Sequence, residues 1–250
     1  MAQYIYGRNP VMEWLNAGMS VSQLYLAGDL HGPTMQQLDK LLRQKKIPVK
    51  KSDKAELTRL VGHDKHQGIV ARISAPQYYS LDEILARAKA AQEPPLIAVL
   101  DGVQDPHNLG AIIRSADGAG IHGIIIPKDN AVELTPAVLK ASAGAAAHVP
   151  VARVTNIARV LNELKEKGFW VSGVDQDGDK PYDQADYSGP TVLVLGSEGR
   201  GIRRLVRDTC DFIISIPMHG KVNSLNVSVA SALVFFQARL HRSRGNKGSK

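Results

Sequence analysis

A single cysteine, Cys210, stands in a chain of 250 residues. It excludes an internal disulfide, and without a second thiol no structural zinc site is expected. Cys210 itself reads as a packed core thiol. No stretch of about 18 apolar residues, the length that reads as a membrane-spanning helix, occurs. The opening Met-Ala-Gln-Tyr-Ile-Tyr-Gly-Arg lacks the apolar core of a signal peptide. A cytoplasmic protein is the expectation. Missing as well are a Gly-x-Ser-x-Gly elbow, a His-Glu-x-x-His pair and a cysteine placed as a nucleophile. No Gly-Lys-Ser or Gly-Lys-Thr marks a phosphate-binding loop. His63 and His66 have no third ligand beside them, so no metal is expected. Asp175-Gln-Asp177-Gly178-Asp179 imitates the start of a calcium loop. Its glycine stands fourth rather than sixth, and Asp186 rather than a glutamate stands twelfth, so it reads as a polar turn.

What is present is ordinary for a soluble globular protein: 44% hydrophobic and 22% charged residues, enough chain for one or two domains. The net charge of +7 is unevenly spread. Residues 1–75 hold 11 Lys/Arg against 6 Asp/Glu, and residues 239–250 hold 5 basic residues and no acid. The stretch between them carries a slight acidic excess. That pattern suits a polyanion gripped by appendages of a nearly neutral core, and equally a pair of solvated basic surfaces.

Residues 1–75 read as a small α/β unit. Asn9-Pro10 opens a helix, Ser22–Ala27 reads as a strand, Met35 to Lys46 has helical spacing, and Ile47–Lys50 is a short strand. Asp53 caps a helix through Leu60, with Glu56 at the capping-box position, and Gly68–Ile73 closes the unit as a strand. Residues 76–94, bounded by prolines, read as a linker with a short helix from Leu81 to Ala91. From Leu96 the rhythm is regular. Strand-like runs are Leu96–Leu100, Gly123–Ile126, Val149–Val154, Phe169–Val174, Val192–Leu195 and Phe212–Ile216. Helical patterns lie between most of them, so residues 95–242 predict an α/β body with a parallel sheet. Residues 243–250 cannot bury apolar area and are expected to be disordered.

Three constellations are candidates for chemistry. Asp105-Pro106-His107-Asn108-Leu109-Gly110 follows a strand and opens a helix carrying Arg114. Gly196-Ser197-Glu198-Gly199-Arg200-Gly201 follows another strand, with glycines spaced unlike a dinucleotide fingerprint. Asn223-Ser224-Leu225-Asn226-Val227-Ser228 precedes the last helix, with more polar side chains than a cap needs. Such loops gather at the carboxyl ends of parallel strands. Their bare backbone and neutral side chains suit a neutral or cationic nucleoside better than a triphosphate.

Together and in this order, the three constellations resemble the SpoU/TrmH family of RNA ribose 2′-O-methyltransferases in the SPOUT superfamily. Asp105-Pro-His-Asn-Leu-Gly-Ala with Arg114 resembles its first motif. Leu193-Val-Leu-Gly-Ser-Glu-Gly-Arg-Gly resembles the second, and Ile216-Pro-Met with Ser224-Leu-Asn-Val-Ser-Val-Ala230 the third. Ile5-Tyr-Gly-Arg-Asn-Pro-Val and His66-Gln-Gly-Ile-Val-Ala resemble the bacterial branch that methylates a guanosine in 23S rRNA. The resemblance implies a trefoil knot in the methyltransferase domain, an L30e-like RNA-binding domain over residues 1–75, and a homodimer. It implies S-adenosylmethionine as cofactor, at Gly196, Ile216 and Leu225 with Leu195 and Met218. It places Asn108, Arg114, Glu198, Ser224 and Asn226 at the family's functional positions. Lys45, Lys46, Lys50, Lys51, Arg8 and His66 are the candidate RNA contacts, and large-subunit rRNA or a ribosome assembly intermediate is the expected partner. Methylation of tRNA is the second substrate reading. A non-catalytic RNA-binding protein and a nucleotide-dependent oxidoreductase are the rivals in other classes.

Overall fold

The computed structural model describes residues 3–16, 20–28, 33–73 and 77–245. The chain runs β1 (Gln3–Tyr6), α1 (Arg8–Asn16), β2 (Val21–Ala27), α2 (Pro33–Lys45), β3 (Val49–Ser52), α3 (Lys54–Val61), β4 (Ile69–Ile73) and α4 (Leu81–Ala90). It continues β5 (Leu96–Asp101), α5 (Pro106–Ala119), β6 (Gly123–Pro127), α6 (Pro136–Ala141), β7 (Val151–Val154), α7 (Ile157–Glu166) and β8 (Trp170–Val174). Last come β9 (Lys180–Pro181), β10 (Thr191–Gly196), α8 (Arg204–Thr209), β11 (Phe212–Ser215) and α9 (Val227–Gly245).

The first four strands form a small sheet in the order β1-β4-β2-β3. Sequence pattern alone does not reveal β1, whose Gln-Tyr-Ile-Tyr shows neither an apolar run nor a clean apolar–polar alternation. Leu15, Leu24, Leu38 and Ala71 close the core on one face, and Leu57 packs on Tyr25 and Val70 on the other. Asp53 caps α3 by accepting the Glu56 N–H at 2.7 Å. The reciprocal half of a capping box is absent, because the Glu56 carboxylate takes Lys50 at 2.6 Å instead.

The larger sheet runs β7-β6-β5-β10-β8-β11-β9, parallel throughout. Side chains alternate along a strand, so a strand covered on both faces must be apolar at every position. β5 meets this: Leu96, Ala98 and Leu100 join the core under α5 and α9, while Ile97 and Val99 join the one under α4, α7 and α8. Full burial of each such Leu or Ile contributes roughly 1.5–3 kcal/mol. β7 and β8 start at Val151 and Trp170, slightly inside the expected runs. The calcium-like turn is drawn into the sheet as the lead-in to β9. A Cβ on Gly178 would lie 2.4 Å from the Ile214 carbonyl carbon, and Ser215 Oγ donates to Gly178 O at 3.1 Å.

Two expectations change. The proline-bounded stretch around α4 does not behave as a free linker. Ser80 and Glu83 form a complete capping box, and Ile84 is fully buried against Gly123, where a Cβ would sit 2.6 Å away. The basic C-terminus is partly structural. Ser243 and Arg244 continue α9 rather than a disordered tail, and residues 246–250 lie outside the described residues. Arg242 is buried and donates to the carbonyls of Tyr187, Gly189, Pro94 and Pro95. Burial pushes its guanidinium down to about 10. Arg239 is held by Glu93 at 2.8 Å and by the Ala119 and Gly120 carbonyls. Both cations are satisfied within the protein, so neither is free for a polyanion. Among the described residues, no helix is long and apolar enough to cross a membrane.

Candidate active site

The three constellations meet at the carboxyl edge of the larger sheet. β5 and β10 are neighbours, with Gly196 in register with Asp101, so the loops that follow them emerge side by side. Asp105 caps α5, accepting the His107 and Asn108 N–H groups at 2.7 and 3.0 Å. This fixes Asn108 in the first turn. Its amide then links two distant segments: Nδ2 donates to Glu198 Oε1, and Oδ1 accepts from Asn226 Nδ2 at 3.1 Å. Asn226 Oδ1 in turn accepts from Ser228 N and Oγ at 2.8 and 2.6 Å, which caps α9. One chain of amides and a carboxylate therefore ties together all three motifs.

The Gly196–Gly201 loop folds back on itself. Ser197 N donates to Gly201 O at 3.1 Å and Gly201 N to Ser197 O at 2.9 Å. A Cβ at Gly196 would lie 2.0 Å from the Gly201 carbonyl carbon, so only glycine closes this turn. Gly199 and Gly201 have φ of +78° and +63°, left-handed values that disfavour other residues. Leu195 is buried beneath the loop and Ile216 is half-buried beyond β11, while Met218 and Leu225 are exposed. Ser224 and Arg114 are exposed and stand outside the amide chain, with no side-chain hydrogen bond or ion pair among the described residues.

Sequence reasoning missed two clamps just beyond this loop, at the start of α8 and within it. Asp101, buried at the end of β5, accepts Arg203 N at 2.8 Å and Arg203 Nε at 2.7 Å. Asp175 pairs with Arg207 at 2.8 Å. An acid ending an otherwise apolar strand was the available signal for the first, since a buried carboxylate demands donors. Cys210 packs against the core as expected, and burial pushes its thiol up to about 12, which makes it a poor nucleophile.

The candidate RNA contacts separate. Lys45, Lys46 and Lys51 are exposed, and Arg8 is half-exposed. Lys50 is tied to Glu56. His66 departs from expectation: it is 3% exposed, its Nε2 lies 3.1 Å from Thr58 Oγ1, and its Nδ1 accepts the Gly68 N–H. Burial and two engaged ring nitrogens close it to a nucleic acid. Among the described residues, no three His, Cys, Asp or Glu side chains cluster as a metal site.

This edge offers closely apposed backbone, neutral amides, exposed apolar side chains at Met218 and Leu225, and the Glu198 carboxylate tied to Asn108. Such a surface fits a nucleoside bearing a sulfonium better than a polyphosphate. Comparison with known proteins agrees. The RNA 2′-O ribose methyltransferase substrate-binding model matches residues 4–79. The 23S rRNA (guanosine-2′-O-)-methyltransferase RlmB of Pseudomonas aeruginosa is 46% identical over 220 residues, covering 87% of this chain and 87% of that protein. YacO of Bacillus subtilis, named for the TrmH family of tRNA/rRNA methyltransferases, is 43% identical over 98% of this chain and 97% of its own. Among solved structures, the SpoU methyltransferase AviRb from Streptomyces viridochromogenes in complex with AdoMet superposes with a TM-score of 0.76. It shows 27% identity and covers 98% of this chain and 92% of that one. The SpoU rRNA Methylase family model matches residues 95–236, the segment that holds every motif of the site, and the chain belongs to that family of S-adenosylmethionine-dependent RNA 2′-O-methyltransferases.

Proposed function

We propose that the chain methylates the ribose 2′-hydroxyl of a guanosine in 23S rRNA. The observation that carries the site is the Glu198–Asn108–Asn226 chain, which unites three segments in one hydrogen-bonded unit. The relatives named for 23S rRNA support the substrate, and the shared tRNA/rRNA name of others keeps tRNA as the second reading.

Bound S-adenosylmethionine supplies a methyl group already activated on a sulfonium. Gly196, Ile216 and Leu225 are the proposed backbone holds for it, with Leu195 beneath and Met218 at the rim. The rest is alignment and proton removal. Asn108, locked between Glu198 and Asn226, and Ser224 beside them position the nucleotide. Arg114 orients the 2′-hydroxyl and a substrate phosphate. A guanidinium donates hydrogen bonds and has no acceptor to offer, so the 2′-OH proton passes to a phosphate oxygen or to water.

Residues 1–75 serve as an L30e-like grip on RNA through Lys45, Lys46, Lys51 and Arg8, with Lys50 held by Glu56. The larger α/β body carries a trefoil knot, a reading supported by β10 lying between β5 and β8 while α9 returns across α5. The protein acts in the cytoplasm as a homodimer on rRNA or an assembly intermediate. Val229, Leu233, Phe236 and Leu240 form one exposed apolar stripe along α9, which supports self-association. The test is transfer of labelled methyl from S-adenosylmethionine to unmodified 23S rRNA and tRNA transcripts, mapped by resistance to alkaline cleavage. A single protected guanosine in 23S rRNA is expected. Protection only in tRNA moves the substrate, and no transfer to either transcript or to a ribosomal precursor overturns the activity.

A further inference from the structure

A cleft of about 870 Å³ opens between the small sheet unit and the larger body. That lies within the roughly 300–1,000 Å³ typical of ligand sites. Tyr4, Tyr6, Trp14 and Asn16 come from β1 and α1 on one side, and Arg114 and Lys140 from α5 and α6 on the other. The two sides are packed together at the back. Leu139 of α6 is 4% exposed and belongs to the core cluster of the small unit. The far wall ends in a left-handed turn, with Ala143 at φ +49° and Gly144 at φ +93°.

The chemistry of the lining is one-sided. Among the described residues, no acidic residue lines the cleft. Arg114 and Lys140 are exposed and have no ion pair among the described residues, whereas Arg153, Arg203, Arg207 and Arg239 are each held by a carboxylate. Tyr6 is 40% exposed, and its ring is braced edge-on by His63, with ring centroids 4.4 Å apart. An accessible aromatic ring next to unpaired cations is the combination that holds an unstacked base and its phosphate. The position fits the reaction. Arg114, which lines the cleft, stands on the same helix as Asn108, six residues and about 9 Å further along its axis.

We propose that this cleft is a binding subsite for an unstacked nucleotide that neighbours the methylated one, with the base on Tyr6 and its phosphates on Lys140 and Arg114. The proposal rests on the reading of RNA as substrate and adds to it a specific place where single-stranded RNA is held.

The test uses the full chain with two readouts, so that binding and chemistry are judged apart. Binding is followed by anisotropy of a fluorescein-labelled, mixed-sequence single-stranded oligoribonucleotide, and turnover on a 23S rRNA transcript. Tyr6→Ala is expected to weaken binding and raise the KM for RNA about tenfold, the loss of one base–aromatic stack. Its kcat and S-adenosylmethionine affinity stay near wild type, and Tyr6→Phe restores binding. Lys140→Ala is expected to lower the slope of log binding constant against log salt by about one, the signature of a lost phosphate contact. Unchanged RNA binding in Tyr6→Ala with an unchanged salt slope in Lys140→Ala overturns the proposal. So does competition by an acidic peptide that the oligoribonucleotide cannot match, which would assign the cleft to a protein segment. If the wild type binds the oligoribonucleotide but methylates no RNA, the activity fails while the two variants still decide the cleft.

Discussion

Gly196→Ala is the sharpest perturbation of the site that leaves its polar groups in place. The added Cβ would lie 2.0 Å from Gly201 C, 2.2 Å from Gly201 O and 2.2 Å from Ile202 N. All three are backbone atoms, so no side-chain rotation relieves the contact. Carbon atoms pack at about 3.5–4.0 Å, so the strand end and the loop's closing residue must part by more than an ångström. The paired Ser197–Gly201 hydrogen bonds, 3.1 and 2.9 Å long, cannot survive that displacement. Overpacking costs roughly 1–3 kcal/mol and the two bonds about 1 kcal/mol each. The sum, about 3–5 kcal/mol, corresponds to a fall in Tm of roughly 6–20 °C for a chain of this size. Gly199 and Gly201 provide the control. Nothing lies within 4 Å of a Cβ at Gly199, and the nearest atom at Gly201 is Asp175 Oδ2 at 3.4 Å. Alanine there meets only the left-handed backbone penalty of about 1–2 kcal/mol. Thermal melting of the three variants, with calorimetric titration of S-adenosylmethionine, reads the order directly. Gly196→Ala should melt lowest and bind the cofactor at least tenfold more weakly. A Gly196→Ala protein that melts no lower than Gly199→Ala, or binds the cofactor as wild type does, refutes the reading of this turn as a backbone cradle.

Asn108→Asp places a second carboxylate against Glu198 and removes the Asn108 donor, so kcat should fall about 100-fold while melting changes little; near-normal turnover would remove the amide chain from the chemistry. His122 is held neutral chiefly by burial, against the opposing pull of Glu93, so its pKa lies below the ordinary histidine value. The unfolded chain therefore binds this proton more readily, and stability is full above about pH 6.5 and declines as pH falls through that value. Melting of His122→Gln should depend less steeply on pH between about 7 and 5.5 than melting of the wild type; equal slopes would show that His122 does not set the acid limb. Cys210, with its thiol pushed up to about 12, should be alkylated by iodoacetamide about 100-fold more slowly in the native protein than in urea, as measured by mass spectrometry; equal rates would contradict its burial.

Much of the larger body was legible before the fold was known. Strands buried on both faces must be apolar at every position, and runs such as Leu96–Leu100 and Val192–Leu195 announce themselves on that ground. β1 and the two-residue β9 were not legible, because neither shows an apolar run or an alternation of its own. The proline-bounded segment at α4 misled, because prolines mark where a helix stops and say nothing of what its Ile84 face touches. His66 misled in the same way. A histidine beside a lysine in a polar loop suggests a contact with phosphate, and only burial shows that its ring is spent on Thr58 and Gly68.

The sequence by itself determined the α/β class, the parallel sheet, the three motifs and the family. These depend on residue type and local spacing, which the chain carries wherever it folds. The tertiary structure decided which distant groups meet. Asn108 reaches Glu198 and Asn226 because strand order brings β5 beside β10 and returns α9 over α5. It decided that Asp101 spends its charge on Arg203, and that Arg239 and Arg242 brace the body rather than form a free basic tail. Among the described residues, it also left Arg114 and Lys140 without an ion pair in the cleft that Tyr6 lines. Pairing across a hundred residues depends on chain path, and no local pattern encodes it.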